Sequence, residues 1–326
     1  MKVRVESRAK GAIWGTCVVD ALGGSCQFMQ RGTFPHVKTM LYIPKFRKPA
    51  GSFSDDGSMT LALAQSIIDK DGYDHATSVQ YFLDWLDNGR FSSADTAWDV
   101  GRTTRLSLTY WKRNIGDGSQ LERAQEIVRR VSSGINNQGN GSLMRIAPIG
   151  VAFFRTSLIA HRIAGVHSEV THPMRSCVEA CQLYTDLMVG VMLGEAKDQL
   201  CKRVQNFQFN NPNPQLADRI KKYKTRADWR KTEPPALKSS GFVVDTLECV
   251  LWGFFKYSTF ISGAIAVVNL AGDSDTIGAI YGALAGAYYG VEYIPNIWTS
   301  EMQKKEMIEK VANDFAAKVA TFNAEA

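Results

Sequence analysis

Ser54-Asp55-Asp56 and Asp273-Ser274-Asp275-Thr276 each place two carboxylates and at least one hydroxyl within four residues, at two distant points of the chain. Neighbouring ionised carboxylates repel one another and resist burial. A divalent cation is the usual compensation, and ligands that are all oxygen suit hard ions such as magnesium or manganese. Each cluster also precedes a small-residue, apolar, helix-like run. Either could therefore be a helix cap, Asp55 or Asp56 on one helix and Asp273 or Ser274 on the other, because a helix N-terminus favours carboxylates. Taken together, with the hydroxyls of Ser54 and Thr276 beside them, the clusters point to one site. Two divalent ions about 3.5–4 Å apart would neutralise it, lower the pKa of a bound water and polarise the atom under attack. The implied chemistry is hydrolysis.

A second segment with chemical potential is Asn136 to Arg145, where Gly139 and Gly141 flank Asn140. Such a loop can turn backbone N–H groups toward a phosphate or diphosphate at a helix start, or be a turn with Ser142 as cap. It is neither a P-loop nor a GxGxxG after a strand. His167 and His172 lie five apart with Glu169 between them, but the spacing is not HExxH. A ligand-contacting or capping role suits them better than metal ligation. No GxSxG occurs, and no cysteine stands in a clear nucleophile setting. The six cysteines form no CxxC, and five have apolar or small neighbours, so buried reduced thiols are expected.

The elements that must position these groups read as helices. Arg8 to Leu22 carries Gly11, Gly15, Val19 and Gly23 every four residues, a stripe that would let another backbone come close. Met59 to Ile68, Ala76 to Asp87, Ala97 to Lys112 and Gln120 to Val131 follow. Pro148 marks a kink or a new start within Leu143 to Phe154, and Pro173 suits the first turn of a helix running to about Leu193. Phe242 to Phe255 and Phe260 to Leu270 are apolar. Gly278, Gly282 and Gly286 stripe the helix after the second acidic cluster. Ser300 with Gln303 resembles a capping box before a last helix whose inner face is Met307, Ile308, Val311, Phe315 and Val319. Lys38 to Ile43 is the one weak strand candidate. The expectation is an all-α, single-domain helical bundle spanning 1–326. A polar surface connection is expected at about 208–240, within which Asn210 to Ser240 is rich in proline and lysine. Its Tyr223 and Trp229 lie among Lys221, Lys222, Lys224, Arg226, Arg230 and Lys231, a mixture that could touch nucleic acid. Asp218 and Asp228 make a solvated connection the better reading.

A chain of 326 residues with 45% apolar and 21% charged residues can bury a large core. Its net charge of +6 can help attract anionic ligands without calling for nucleic acid. Met1 to Arg8 has no apolar h-region, so no signal peptide is expected. Ile277 to Tyr289 is 13 residues long, short of the roughly 20 that span a bilayer. A soluble, cytoplasmic enzyme, monomeric and without membrane or nucleic-acid partner, is the expectation.

These motifs, in this order, resemble the ADP-ribosylglycohydrolases from about Arg8 to Gly290. Asp20-Ala21-Leu22-Gly23 resembles the end of that family's GDALG, and Ser54-Asp55-Asp56 its TDDT. Asp99-Val100-Gly101 stands where many members read D-[IV]-G. Gly139 to Arg145 is similar to GNGSLMR, Thr171-His172 to the TH pair, and Gly272 to Thr276 to GDxDT. The resemblance implies an all-α fold holding two magnesium or manganese ions in a cleft, with Ser54, Asp55, Asp56, Asp273, Asp275 and Thr276 as ligands. It implies that Gln27, Gly139, Asn140, Gly141, Ser142 and His172 line an ADP-ribose site. Asp99 would be either a catalytic acid near the ribose or a residue supporting the groups that are, with Asp55, Asp56 and Asp275 serving catalysis through the metals. The implied reaction is hydrolysis at the ribose anomeric carbon, on an ADP-ribosylated side chain or a small ADP-ribose derivative. Four positions depart from the pattern: Ser54 and Gly57 stand where many members have Thr, Val19 replaces Gly, and Gln27 stands where members often carry Glu. A glutamine hydrogen-bonds but is neither base nor anion. That substitution keeps open a phosphatase acting on ADP-ribose 1″-phosphate on the same scaffold, beside a non-catalytic ADP-ribose-binding member.

Overall fold

In the computed structural model of the chain, residues 3–116, 120–209 and 212–322 are described. Residues 1, 2, 210 and 211, at the ends of two segments read above, lie outside them. The described residues are helical: α1 (Val5–Gly23), α2 (Asp55–Lys70), α3 (His75–Asn88), α4 (Arg102–Asn114), α5 (Leu121–Ser132), α6 (Ala147–Ala152), α7 (Ser157–Ser168) and α8 (Arg175–Leu193). The second half adds α9 (Lys197–Asn206), α10 (Pro214–Lys221), α11 (Arg226–Lys231), α12 (Val243–Lys256), α13 (Phe260–Val268), α14 (Ser274–Tyr289), α15 (Asn296–Glu301) and α16 (Lys305–Phe322). Pairing between extended segments is limited, among the described residues, to isolated bridges at Ile43–Lys48 and Gly139–Phe242. The all-α reading holds, and the weak strand candidate at 38–43 forms no strand beyond the bridge at Ile43.

The central packing is α1 against α14, and its cause is the two glycine stripes. The backbones run antiparallel in direct contact. A Cβ on Gly15 would sit 2.1 Å from the carbonyl oxygen of Gly282, and one on Gly11 2.1 Å from that of Gly286. Further along, a Cβ on Gly278 would stand 2.6 Å from Val19 O, and one on Gly23 2.5 Å from Ser274 O. Side chains at these positions would force the helices apart. Helix α14 is buried from Ser274 to Ala287, in keeping with a run that is apolar on all sides. This register delivers the C-terminal end of α1 to the N-terminal end of α14, where the Ser274 hydroxyl donates to Gly23 O at 2.9 Å.

Several elements differ from the sequence expectation. Helix α2 includes the acidic cluster rather than following it, with Ser54 as its N-cap. Residues 97–101 are not helical. Asp99 takes φ +54°, a left-handed conformation that ends any continuation from Ala97. Pro173 precedes the N-cap Met174 of α8 instead of opening its first turn. Ser300 and Gln303 form no capping box: Ser300 Oγ donates to Ile297 O inside α15, and Gln303 Nε2 reaches Ala50 O. The described part of the polar segment holds α10 and α11, which pack on α12. Tyr223 and Trp229 stack on each other, ring centroids 3.6 Å apart, and both are buried. The Tyr223 hydroxyl donates to Glu248, which also pairs with Arg219 and Lys222. These two rings are therefore core and offer no face to a nucleic-acid base. All six cysteines are buried free thiols.

Candidate active site

Three helix ends and two loops converge on one acidic centre. Asp20, in the last turn of α1, lies beside the start of α2. Its carboxylate accepts from Ser54 N at 3.0 and 2.9 Å, from Gly57 N at 2.9 Å and from Ser54 Oγ at 3.1 Å. Asp56 Oδ2 accepts from Ser54 Oγ at 2.7 Å and Thr276 Oγ1 at 3.4 Å. One carboxylate oxygen from each of Asp20, Asp56 and Asp275 falls within 4.8 Å of the other two. Two sequence clusters some 220 positions apart thus meet. Asp20 is the addition, visible in the sequence only as part of a motif, because its role depends on the α1–α14 register.

All of these carboxylates are buried, and none forms an ion pair with a described residue. Burial, reinforced by the charge of Asp56, holds Asp20 far above the ordinary carboxylate range. Burial does the same to Asp55, with Asp56 and Asp99 adding to it, and to Asp275, with Asp273 and Asp56 adding to it. Asp56 is pushed up to about 7 by burial, against the opposing bond from Ser54. Asp273 rises to about 6 by burial, offset by the bond from Asn140. Four buried side-chain oxygens at this centre have no hydrogen-bond donor: Asp56 Oδ1, both oxygens of Asp275, and Gln27 Oε1. Buried acids so placed require either shared protons or a cation. The donor set is entirely oxygen and fits a hard divalent ion.

Above this centre opens a cavity of about 760 Å³. Asp55, Asp99, Asp273 and Thr276 line it, whereas Asp20, Asp56 and Asp275 lie beneath its floor. Gln27 lines the cavity and donates through Nε2 to Asp99 Oδ2. Burial raises Asp99, and this amide opposes the rise. Gly101 N approaches Asp55 Oδ2 at 3.4 Å, so the turn that bends the chain at Asp99 also touches the first acidic cluster.

The opposite wall is the glycine loop with His172. Asn140 Nδ2 donates to Asp273 Oδ2 at 2.6 Å and to Thr246 Oγ1 at 2.9 Å. A Cβ on Gly141 would meet His172 Cε1 at 2.7 Å and Thr104 Oγ1 at 2.9 Å, so only glycine lets the loop lie against the imidazole. Burial and the nearby Arg145 push His172 down to about 3, which keeps the ring neutral. Its Nδ1 is engaged with Thr171 Oγ1 at 2.8 Å, leaving Nε2 as the edge with a free role.

Two features of this loop differ from expectation. The N–H of Asn140 is used by Gly241 O at 3.1 Å, and the next helix begins only at Ala147, so the loop is not a phosphate cradle at a helix start. Ser142 does not face the cavity. It is fully buried and accepts from Ser168 Oγ at 2.9 Å and from Cys181 Sγ at 3.5 Å. His167 is buried as well, 3.3 Å from Arg145 Nε through its Nε2, and shares no site with His172. The structure adds Arg102 and the Ser239 to Gly241 turn to the lining. Nothing in their local sequence marks them out.

The family model described as ADP-ribosylglycohydrolase matches residues 1–323. The chain is 32% identical to ADP-ribosylarginine hydrolase Tri1 of Pseudomonas putida (strain GB-1), over 94% of this chain and 77% of that protein. It is 30% identical to the ADP-ribosyl-[dinitrogen reductase] glycohydrolase of Rhodospirillum rubrum, over 92% of each. Its fold is similar to that of a solved ADP-ribosylglycohydrolase-related protein complex, with TM-score 0.78 and 28% identity, covering 97% of this chain and 99% of the other.

Proposed function

The chain belongs to the ADP-ribosylglycohydrolase family, and from that membership we propose that it is a hydrolase that cleaves an ADP-ribosyl linkage with the help of bound divalent metal. The observation that carries the metal dependence is the set of donorless buried oxygens on Asp56 and Asp275 beneath a cavity whose walls are also acidic. Asp20, Asp55, Asp56, Asp273 and Asp275, with Ser54 and Thr276, are the residues that would hold two magnesium or manganese ions. Bound there, such ions supply charge neutralisation and an acidified water.

The remaining roles belong to the chain itself. Asp55 and Asp99 present carboxyl groups to the cavity, where a negative oxygen opposes positive charge developing at an anomeric carbon. Gln27 Nε2 fixes the Asp99 carboxyl group on its side of the cavity. Neutral His172 offers Nε2 for a hydrogen bond at no cost in charge. Asn140 is locked by Asp273 and Thr246 and holds the glycine loop in place. Arg102 contributes a cation suited to a diphosphate. The cavity is large enough for a dinucleotide-sized ligand, since such sites run from about 300 to 1,000 Å³.

A second reading, hydrolysis of ADP-ribose 1″-phosphate, is favoured by Gln27 alone. An amide in the cavity wall does not repel an anionic leaving group as a carboxylate would. One experiment separates the readings. The protein with magnesium or manganese is incubated with arginine-, serine- and asparagine-linked ADP-ribose, O-acetyl-ADP-ribose and ADP-ribose 1″-phosphate, and released ADP-ribose and phosphate are measured. Release from an amino-acid linkage, abolished in Asp55→Ala and in Asp275→Ala with the fold intact, is expected. Phosphate release alone selects the second reading. Full activity in either variant rejects metal catalysis, and thermal stabilisation by ADP-ribose without any turnover selects a binding protein.

A further inference from the structure

Between Gln27 and Asp55 the chain runs for 27 residues without a single carboxylate, while carrying Arg31, Lys38, Lys45, Arg47 and Lys48. No helix or strand forms there after the short turn ending at Cys26. A loop of this length inside a packed domain usually has a function of its own. It is nonetheless held firmly. Phe28 N donates to Gly272 O at 2.5 Å, Asn269 exchanges hydrogen bonds with both backbone groups of Val37, and Ile43 bridges Lys48 and packs on Gly24.

One of the five cations is committed inward: Arg31 donates to Leu270 O at 2.9 Å and Leu237 O at 3.1 Å. The other four form no ion pair with a described residue, although sixteen such pairs exist elsewhere. Lys45 lies at the edge of the cavity, and Lys38, Arg47 and Lys48 belong to the same stretch of loop. Phe28, which lines the cavity, is 53% exposed at φ +60°, with Lys45 Nζ 3.5 Å from its ring centroid. Phe46 rests on Trp98, and Lys48 covers the same indole. Leu41 and Tyr42 are exposed on the same loop, at 48% and 54%.

We infer that this loop is the docking surface for an acidic segment of the polypeptide that carries the ADP-ribosyl group, a reading that rests on the proposed function for its substrate but not for its own test. Unpaired cations on a preorganised surface beside a catalytic mouth steer and hold a complementary anion. Exposed Leu41 and Tyr42 give such a segment an apolar contact. Single-stranded nucleic acid is the poorer fit. It binds by stacking successive bases on a row of open aromatic faces, whereas here Lys45 lies over Phe28 and Lys48 over Trp98, leaving Tyr42 as a single open ring.

The test uses the full chain and Lys38→Glu/Arg47→Glu/Lys48→Glu, residues outside the catalytic cavity. Fluorescence anisotropy is read with a 20-residue Glu/Asp-rich peptide, a neutral peptide of the same length and a 20-nucleotide single-stranded DNA. At low salt the acidic peptide binds the parent chain at least tenfold more tightly than the variant, and added salt removes the difference. Lys38→Gln/Arg47→Gln/Lys48→Gln gives an intermediate value. Equal binding by parent and variant overturns the inference, as does tighter binding of DNA than of the acidic peptide. In hydrolysis, the variant raises KM about tenfold for an ADP-ribosylated acidic peptide and leaves a free ADP-ribosylated amino acid unchanged. If no ADP-ribosyl compound is cleaved at all, the proposed function falls while the binding measurement still decides this inference.

Discussion

Asp20 Oδ2 accepts the backbone N–H of Ser54 at 2.9 Å, so the carboxylate near the end of helix α1 also caps helix α2. The same carboxylate contributes an oxygen to the cluster with Asp56 and Asp275. One side chain thus orients the first acidic motif and takes part in the charge excess that a cation would relieve.

Asp20→Asn separates those two roles. The amide oxygen still accepts from Ser54 and Gly57, but the centre loses a carboxyl group that could ionise to hold a cation. Without metal at pH 7.5 the variant is expected to melt no lower than the parent. The rise in melting temperature produced by magnesium or manganese in the parent is expected to shrink or vanish. Scanning fluorimetry with chelator and with added metal reads both quantities, and a full metal-induced rise in the variant contradicts the assignment.

The buried acids give the metal-free protein an inverted pH dependence. Asp56 lies near 7 and Asp273 near 6 when folded, against an unfolded value close to 4. Between these limits the folded chain binds more protons than the unfolded chain. Stability therefore falls as pH rises from about 4 to about 7. Melting of the chelated protein is expected to be lower at pH 7.5 than at pH 5.5, and divalent metal is expected to restore more at the higher pH. A chelated protein that gains stability across this window contradicts the burial of these groups as acids.

Gln27→Glu would set a second carboxyl against Asp99, in place of an amide that favours the ionised form. Like charges at hydrogen-bonding distance raise the pKa of the pair. The acid limb of the kcat/KM profile is expected to move to higher pH. An unchanged limb, with activity retained, would show that Asp99 does not set it.

Gly15→Ala tests the helix contact at its tightest point. The new methyl carbon would lie 2.1 Å from the Gly282 carbonyl oxygen, and that atom is backbone and cannot swing aside. A loss of about 1–3 kcal/mol or more is expected from forced overpacking. Urea denaturation measures it. Metal-induced stabilisation should fall in parallel, because the same register aligns Asp20 with Asp275.

Much of this was legible from residue types alone. The helical class followed from apolar periodicity, a close backbone approach onto α1 from its glycine stripe, and the meeting of the two acidic clusters from carboxylates too dense to be buried uncompensated. That α14 supplies the partner stripe was not readable. What the sequence left hidden depends on contacts between distant segments. Asp20 joins the centre only through the α1–α14 register. The left-handed turn at Asp99 interrupts a stretch whose spacing reads as helix. Ser142 belongs to a polar motif, yet its hydroxyl turns inward to Ser168, and no local pattern announces that direction. Tyr223 and Trp229 look like surface aromatics among lysines and are instead a buried stack, because Glu248 on α12 draws Tyr223, Arg219 and Lys222 toward it.

The contact between Gly23 and Ser274 closes a loop of 251 positions. A ribosome must therefore finish nearly the whole chain before the two halves of the acidic centre can meet. Until then α1 has no partner for its glycine face, and the nascent protein carries three of the five ion-holding carboxylates, Asp20, Asp55 and Asp56, without the other two. Catalytic competence would thus arrive late in synthesis, after the intervening helices have had time to pack.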